Sequence, residues 1–118
     1  MGFRSDVYIC LKNEDYKELA KRTAELAKSE NNEIMDTIGQ ADEITELSDT
    51  VVITLAWRKW CDDYKEVALV NNFLDELRSA DEPFKMVILN EDNTIEVNEN
   101  YCKGECDHIE VYTGVNII

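Results

Sequence analysis

The sequence predicts a single α+β domain of the ferredoxin-like type. We expect a βαββαβ sandwich with a C-terminal strand extension and both helices on one face of the sheet. The length of 118 residues is typical of one compact domain. Segments with strand and helix periodicity follow one another in the order strand, helix, two strands, helix, strand. No repeat, linker or low-complexity stretch interrupts this order, so we assign residues 1–118 to one domain.

Hydrophobic periodicity predicts the first strand and the first helix. Residues 6–11 alternate with a period of two and are mostly β-branched or aromatic, which is typical of a strand. Asn13 is a candidate helix cap. Apolar residues then recur at helical spacing from Tyr16 to Ala27, and we expect the helix to end near Lys28.

The middle of the chain is predicted to form a β-hairpin. A helical turn is expected over 34–38, with Gly39 as its stop. Residues 43–57 contain two β segments that flank the turn residues Ser48 and Asp49. The second of these segments is the strongest strand signal in the chain.

A second helix and a buried strand follow the hairpin. Asp63 and Glu66 have the spacing of a capping box at the start of the helix. The helix should end before Pro83, because the residue that precedes a proline disfavours the helical region. Residues 84–89 are then continuously apolar except at Lys85, which favours a buried strand.

The last part of the chain carries weaker signals. Residues 90–93 have turn chemistry, and 94–97 are expected to pair back on the preceding strand. Residues 98–107 are loop-like. Residues 109–113 are predicted to form the final strand, which is the C-terminal extension of the sheet.

The charge of the chain limits its partners. With 26 acidic and 12 basic residues the formal net charge is −14, and no basic footprint for nucleic acid or anionic membrane is present. No apolar run approaches the length of a membrane span, so a cytoplasmic location is expected. Residues 29–57 contain no Lys or Arg, and in residues 86–118 the one basic residue is Lys103. The sequence therefore predicts an acidic surface that binds a basic partner.

No motif in the sequence indicates a catalytic reaction, and we expect a protein that is not an enzyme. His108 is the only histidine, and no nucleophile or partner carboxylate is spaced to work with it. The four glycines do not form a phosphate-binding loop. Carboxylates are too numerous for any one pair to indicate acid–base chemistry.

Two cysteines and a histidine form the only local cluster of metal-ligand types. Cys102, Cys106 and His108, with Cys61 as a candidate fourth ligand, have the chemistry of a zinc site but not the usual spacing. The Cys102–Cys106 pair also permits a small disulfide loop, although reduced thiols are the default in the cytosol. The turn at 90–93 carries oxygen ligands without the calcium-loop pattern. We therefore expect no cofactor and no resident metal.

The segment Trp57-Arg58-Lys59-Trp60 alternates aromatic and cationic side chains at the end of a predicted strand. Trp and Arg are enriched at binding hot spots, so one hypothesis is a contact anchor for a partner. The other hypothesis is a core tryptophan with a cation–π contact that ends the sheet. We expect one tryptophan to enter the core and the other to lie near the surface.

Two motifs resemble small proteins encoded by bacteriophages and prophages. The first is the opening segment from Met1 to Val7, and the second is the central Trp57-x-Lys59-Trp60 followed by Tyr64. The helix and the strand that follow these motifs match the layout of these phage proteins. The resemblance implies a phage accessory protein that acts in the bacterial cytoplasm, and these proteins have no assigned reaction.

The favoured functional hypothesis is a non-enzymatic inhibitor of a host defence system, of the anti-CRISPR or DNA-mimic type. Such a protein docks on the basic nucleic-acid-binding surface of a host protein or protein–RNA complex and does not bind nucleic acid itself. The residues predicted to contact the partner are Glu33, Asp36, Asp42, Glu43, Glu46, Asp49, Glu91, Asp92 and Trp60.

Two alternatives remain open. The first is an oligomeric sponge for a small ligand or nucleotide, in which Arg58 and Lys59 hold phosphates and Trp60 or Tyr112 stacks on a base. The second is a phage structural accessory protein, or an immunity protein that neutralises a basic toxin.

Overall fold

The computed structural model describes residues 4–31, 36–100, 109–111 and 115–117, the last two ranges for the backbone alone. Two helices and a five-stranded antiparallel sheet confirm the predicted α+β class. The elements, in chain order, are β1 (Arg4–Lys12), α1 (Asn13–Ser29), β2 (Glu43–Leu47), β3 (Thr50–Lys59), α2 (Lys65–Ser79), β4 (Phe84–Asn90), β5 (Ile95–Asn100), β6 (Ile109–Val111) and β7 (Val115–Ile117).

The strand order of the main sheet is β2-β3-β1-β4-β5, and every neighbouring pair is antiparallel. The predicted hairpin over 43–57 is confirmed as β2 and β3, joined at Ser48, whose φ is 51°. β1 lies at the centre of the sheet, and β2 and β5 form its two edges.

The sheet differs from the prediction in its extra strand. The fifth strand is β5, which confirms that the segment 94–97 pairs back on β4 and shows that 98–100, predicted as loop, continue the strand. Of the predicted final strand over 109–113, residues 109–111 form β6 and 112–113 lie outside the described residues. β6 pairs with β7 in a separate two-stranded sheet. The physical reason is the short turn after β4, where Asn90 N–H donates to the Thr94 carbonyl at 2.9 Å and reverses the chain at once.

The first helix begins at the predicted place but without the predicted cap. Asn13 is the first helical residue, and Lys12 occupies the N-cap position with no side-chain cap. Pairing of Lys12 with Thr50 extends β1 up to the helix, and Asn13 N–H then donates to the Asp49 carbonyl at 3.0 Å. The helix ends at Ser29, one residue beyond the predicted Lys28.

The second helix also lacks its predicted capping box. Tyr64 occupies the N-cap position, so Asp63 and Glu66 do not have the capping-box register. The Tyr64 carbonyl accepts the helical N–H of Ala68 at 2.9 Å. Neither described helix is long and apolar enough to span a bilayer.

The hydrophobic core joins both helices to the central strands. One cluster of buried side chains combines alternate residues of β1, β3 and β4 with residues of α1 and α2. Its largest fully buried members are Phe84, Ile9, Leu11, Leu19, Ile53, Leu55 and Leu74. Cys10, Val52 and Val87 form a smaller buried cluster. These three residues alternate with the members of the main cluster, so they lie on the opposite face of the sheet.

Arg78 links α2 to the sheet. Its guanidinium lies 5.1 Å from the centroid of the buried Phe84 ring, donates to the Glu99 carbonyl at 3.2 Å and also contacts the Asn98 side-chain oxygen. One planar group therefore stacks on the core and holds the edge strand β5 at the same time.

Substitution Arg78→Lys should destabilise the protein by about 1 kcal/mol, because an ammonium keeps the charge but loses the planar stacking and the forked hydrogen bonds. Urea denaturation measures the change. Arg4→Lys is a control, since Arg4 makes no described aromatic stacking contact. Equal stability of Arg78→Lys and wild type would show that these contacts do not support β5.

Candidate functional site

A β-bulge near the end of β3 positions the Trp57–Trp60 segment. Between the pairs Val7–Leu55 and Ser5–Arg58, β3 has one residue more than β1. Trp57 lies in this bulge with a φ of 56°, in the left-handed region. Bulges bend a strand and change the direction of its side chains, so the residues after Trp57 leave the regular path of the sheet.

Two carboxylates accept hydrogen bonds from backbone N–H groups of the bulge. Trp57 N–H donates to Asp6 Oδ1 at 2.8 Å, and Ala56 N–H donates to Asp42 Oδ2. Arg58 Nη2 lies 3.4 Å from the same Asp42 oxygen. The hydrogen bond from the Ala56 amide, and after it the Arg58 guanidinium, lower the pKa of Asp42. Asp42 is therefore part of the support of the bulge.

The bulge separates the two tryptophans. Trp57 is 56% exposed, whereas Trp60 is half-buried and packs against the main core. As expected, one tryptophan lies near the surface, while the other packs against the core without being fully buried. The cation–π contacts found in the described part of the chain involve Phe73 and Phe84 rather than a tryptophan.

A cavity of about 260 Å³ lies beside the bulge, and we call it the Lys59 cavity. It brings together Arg58, Lys59 and Trp60, three of the four residues predicted for a small ligand, while Tyr112 lies outside the described residues. Arg4 completes the basic lining because it pairs with Lys59 across β1 and β3. The full lining is Arg4, Thr37, Arg58, Lys59, Trp60, Tyr64, Glu66 and Val67.

A second cavity of about 580 Å³ adjoins the first and shares Lys59, Trp60 and Tyr64 with it. Its other side chains are mainly polar or acidic, and they include Asn90 and Asp92 of the turn between β4 and β5.

The side chains of this turn have partners within the protein. Asp92 Oδ1 accepts from the backbone N–H and the hydroxyl of Thr94, and these hydrogen bonds lower the pKa of Asp92. Glu91 Oε1 accepts from Arg4 N–H at 3.2 Å. Both residues predicted for partner contact here therefore also stabilise the turn.

The predicted acidic contact residues separate into two groups. Glu43, Glu46 and Asp49 lie on or next to β2, whereas Glu91 and Asp92 follow β4 beside the other edge strand. With strands about 4.8 Å apart, the two edges of the sheet are about 19 Å from each other. Glu33 lies outside the described residues.

Asp36 has a structural role rather than a free carboxylate. Its Oδ1 accepts from the Thr23 hydroxyl at 2.9 Å and from Gly39 N–H at 3.0 Å. A Cβ at Gly39 would lie 2.5 Å from Asp36 Oδ2, so a side chain at this position would displace the Asp36 carboxylate from its hydrogen bonds. Gly39 therefore lies inside the turn, whereas the predicted helical turn over 34–38 includes residues that the structure does not describe.

Ion pairs neutralise many of the basic side chains. Lys12, Arg22, Lys65 and Lys85 each lie within 4 Å of a glutamate carboxylate. In contrast, none of the ion pairs among the described residues involves Glu43, Glu46 or Asp49. The β2 edge therefore keeps its negative charge.

Of the four candidate zinc ligands, Cys61 alone is among the described residues. Cys102, Cys106 and His108 lie outside the described residues, and Cys61 is exposed. In the ranges that the structure describes, no three His, Cys, Asp or Glu side chains converge as a metal site would require.

No protein-family model matches this chain, and no curated protein or solved structure matches it.

Replacing Trp57 tests the strain in the bulge. Trp57→Gly should be more stable than Trp57→Ala by about 1 kcal/mol, because both remove the exposed ring but only alanine keeps a Cβ in the left-handed region. Thermal and urea denaturation of the two variants measure the difference. If alanine were the more stable of the two, the positive φ at this position would be wrong.

Substitution Asp42→Asn tests whether the negative charge of Asp42 stabilises the bulge. At neutral pH it should lower the free energy of unfolding by about 0.5–1 kcal/mol, a value reduced by solvent screening. Since the folded-state pKa of Asp42 lies below its ordinary value, this stabilisation is complete above that value and is lost as the pH falls through the lowered pKa.

The difference between wild type and Asp42→Asn should therefore shrink in urea denaturation as the pH is lowered from neutral to below the ordinary pKa of an aspartate. Asp49→Asn, at a carboxylate with no ion pair in the described ranges, is the matched control. A constant difference at both pH values would contradict a role for the Asp42 charge.

Proposed function

We propose that the chain is a non-enzymatic acidic binding protein that inhibits a bacterial defence system by docking on a basic nucleic-acid-binding surface. The observation that carries this proposal is the β2 edge, where Glu43, Glu46 and Asp49 are exposed without an ion pair among the described residues. Because Glu91 and Asp92 lie beside the opposite edge, we assign the docking surface to β2 alone.

The β2 edge offers main-chain groups as well as carboxylates. Among the described residues β2 pairs with β3 alone, so one side of the strand presents N–H and C=O groups to a partner. Glu43 and Glu46 are three residues apart, so they lie about 10 Å apart along the strand and point to opposite faces. A basic extended segment of a partner fits this edge by pairing with β2 as an added strand, with one carboxylate on each face of the sheet beside it.

We infer that β1–β4 and the two helices form a ferredoxin-like unit, to which β5 is added as an edge strand. The βαββαβ order of these elements supports this assignment, as does the cluster that both helices share. In such a unit the helices leave the β2 edge accessible.

The anti-CRISPR or DNA-mimic type of action is proposed from two features together. The resemblance of the Met1–Val7 and Trp57–Trp60 motifs to phage proteins suggests a viral protein in the cytoplasm of a bacterial host. The net charge of −14 suggests a target that otherwise binds nucleic acid.

The test is a charge reversal at the β2 edge. The double variant Glu43→Lys/Glu46→Lys should bind a basic partner captured from the bacterial host at least ~10-fold more weakly at low salt. The control Glu25→Lys/Asp75→Lys makes the same change in net charge on the two helices and should bind as wild type. Biolayer interferometry at two salt concentrations measures both, and wild-type binding should weaken as salt rises.

Edge carboxylates also protect a sheet from pairing with another copy of itself. Size-exclusion chromatography of the double variant tests this second role. If the variant self-associates while its affinity for the partner is unchanged, the carboxylates only protect the edge and the docking proposal is wrong.

A further inference from the structure

The Lys59 cavity has a charge opposite to that of the protein. Three of the 12 basic residues, Arg4, Arg58 and Lys59, line it, against the carboxylate of Glu66 in the lining and that of Asp42, which lies 3.4 Å from Arg58. The protein as a whole has a net charge of −14, so a cavity with an excess of positive charge is unusual in it. Clefts lined by one sign of charge concentrate small ions of the opposite sign.

The polar side chains of the cavity are hydrogen-bond donors, with Glu66 as the exception. Two of them are buried and lack a partner among the described residues: the hydroxyl of Thr37, which is 4% exposed, and Nε1 of Trp60. A buried donor without a partner is costly, and a ligand rich in acceptor oxygens satisfies it. Both donors lie just beneath the surface of the cavity wall, so an anion in the cavity becomes their partner once a small side-chain rotation exposes them.

The N-terminus of α2 contributes to the same cavity. The helix has 15 residues, and its N-cap residue Tyr64 makes no side-chain cap. Tyr64, Glu66 and Val67 line the cavity, so the uncapped first turn lies at its wall. The free N–H groups and the positive end of the helix dipole favour an anion, and phosphate is a common one at such positions.

The bases differ in how free they are to contact a ligand. Arg58 Nη2 donates to the Gln40 carbonyl at 2.6 Å, and Arg4 Nη1 donates to the Trp57 carbonyl at 3.2 Å. Lys59 makes no ion pair with the described residues, is exposed and lines both cavities. Lys59 is therefore the side chain best placed to bind the anion directly.

The adjoining cavity indicates what is attached to the anion. It begins at the shared residues Lys59, Trp60 and Tyr64 and continues to Asn90 and Asp92. Aromatic rings suit a planar or apolar part of a ligand, and acceptor oxygens suit hydroxyl groups such as those of a sugar.

We propose that the Lys59 cavity binds a small phosphate monoester, with its phosphate against Lys59, Thr37 and the start of α2 and its organic part in the adjoining cavity. A sugar phosphate and a nucleoside monophosphate share this chemistry. The site is independent of the β2 edge, so failure of one proposal does not affect the other.

The test uses the full chain with Trp57→Phe, which leaves Trp60 as the only tryptophan and thus the only reporter of the cavity. Inorganic phosphate, ribose 5-phosphate, AMP and adenosine are titrated while Trp60 fluorescence is followed, with calorimetry as a second measurement. Ribose 5-phosphate and AMP should bind, and adenosine should bind at least ~10-fold more weakly. Tighter binding of AMP than of ribose 5-phosphate would identify the ring as part of the recognised ligand.

Three further variants make the test specific. In the same background, Lys59→Gln should weaken AMP binding by about 10-fold. Glu66→Gln removes the carboxylate in the cavity lining and should strengthen it a few-fold. Lys17→Gln removes a basic charge from α1, away from the cavity, and should leave the affinity unchanged.

The proposal is overturned if no phosphate compound changes Trp60 fluorescence or releases heat. It is also overturned if adenosine binds as tightly as AMP, or if Lys59→Gln and Lys17→Gln lower the affinity equally. The last result would show a general attraction of the anion to positive charge. Circular dichroism confirms that each variant is folded.

Discussion

The antiparallel pairing of β1 with both β3 and β4 is the constraint on which the rest of the structure depends. Val7, Ile9 and Leu11 belong to the main core, and Cys10 belongs to the cluster on the opposite face, so β1 is buried on both faces. A central strand of this kind fixes the register of its neighbours, because a slip of one residue would turn every buried side chain to the wrong face.

The same pairing assembles the candidate ligand site from distant parts of the chain. At the beginning of β1, Arg4 pairs with Lys59, and Ser5 pairs with Asn90. The Ser5 hydroxyl also donates to Asn90 Oδ1 at 2.7 Å. The Trp57–Trp60 segment and the turn after β4 therefore meet at one end of the sheet, where the two cavities lie.

Charge has three different roles in this protein. At the bulge, Asp6 and Asp42 accept hydrogen bonds from backbone N–H groups and so stabilise the fold. On the helices, glutamates pair with basic residues, as Glu18 and Glu76 do with Arg22. The carboxylates of the β2 edge have neither kind of partner among the described residues. A large net charge therefore does not by itself identify a binding surface, and the distribution of partners decides which carboxylates can contact another molecule.

Local patterns in the sequence determined most of the elements. Strand and helix periodicity placed β1, α1, the β2–β3 hairpin, α2 and β4, because alternate or helically spaced apolar residues must reach one core. The sequence also predicted that Trp57 and Trp60 differ in burial, and the structure decided that Trp57 is the exposed one. The sequence predicted that 94–97 pair back on β4, which is confirmed, but it did not extend that strand through 98–100, because the weak local pattern there gains its pairing from β4.

Other features depended on contacts between residues far apart in sequence, and only the tertiary structure decided them. Nothing in the local sequence connects Arg4 with Lys59, or Asp42 with the amide of Ala56, since strand register brings each pair together. The sequence determined how many carboxylates the protein has. The fold decided which of them support the backbone, because a carboxylate is held by the amides and cations that packing places beside it.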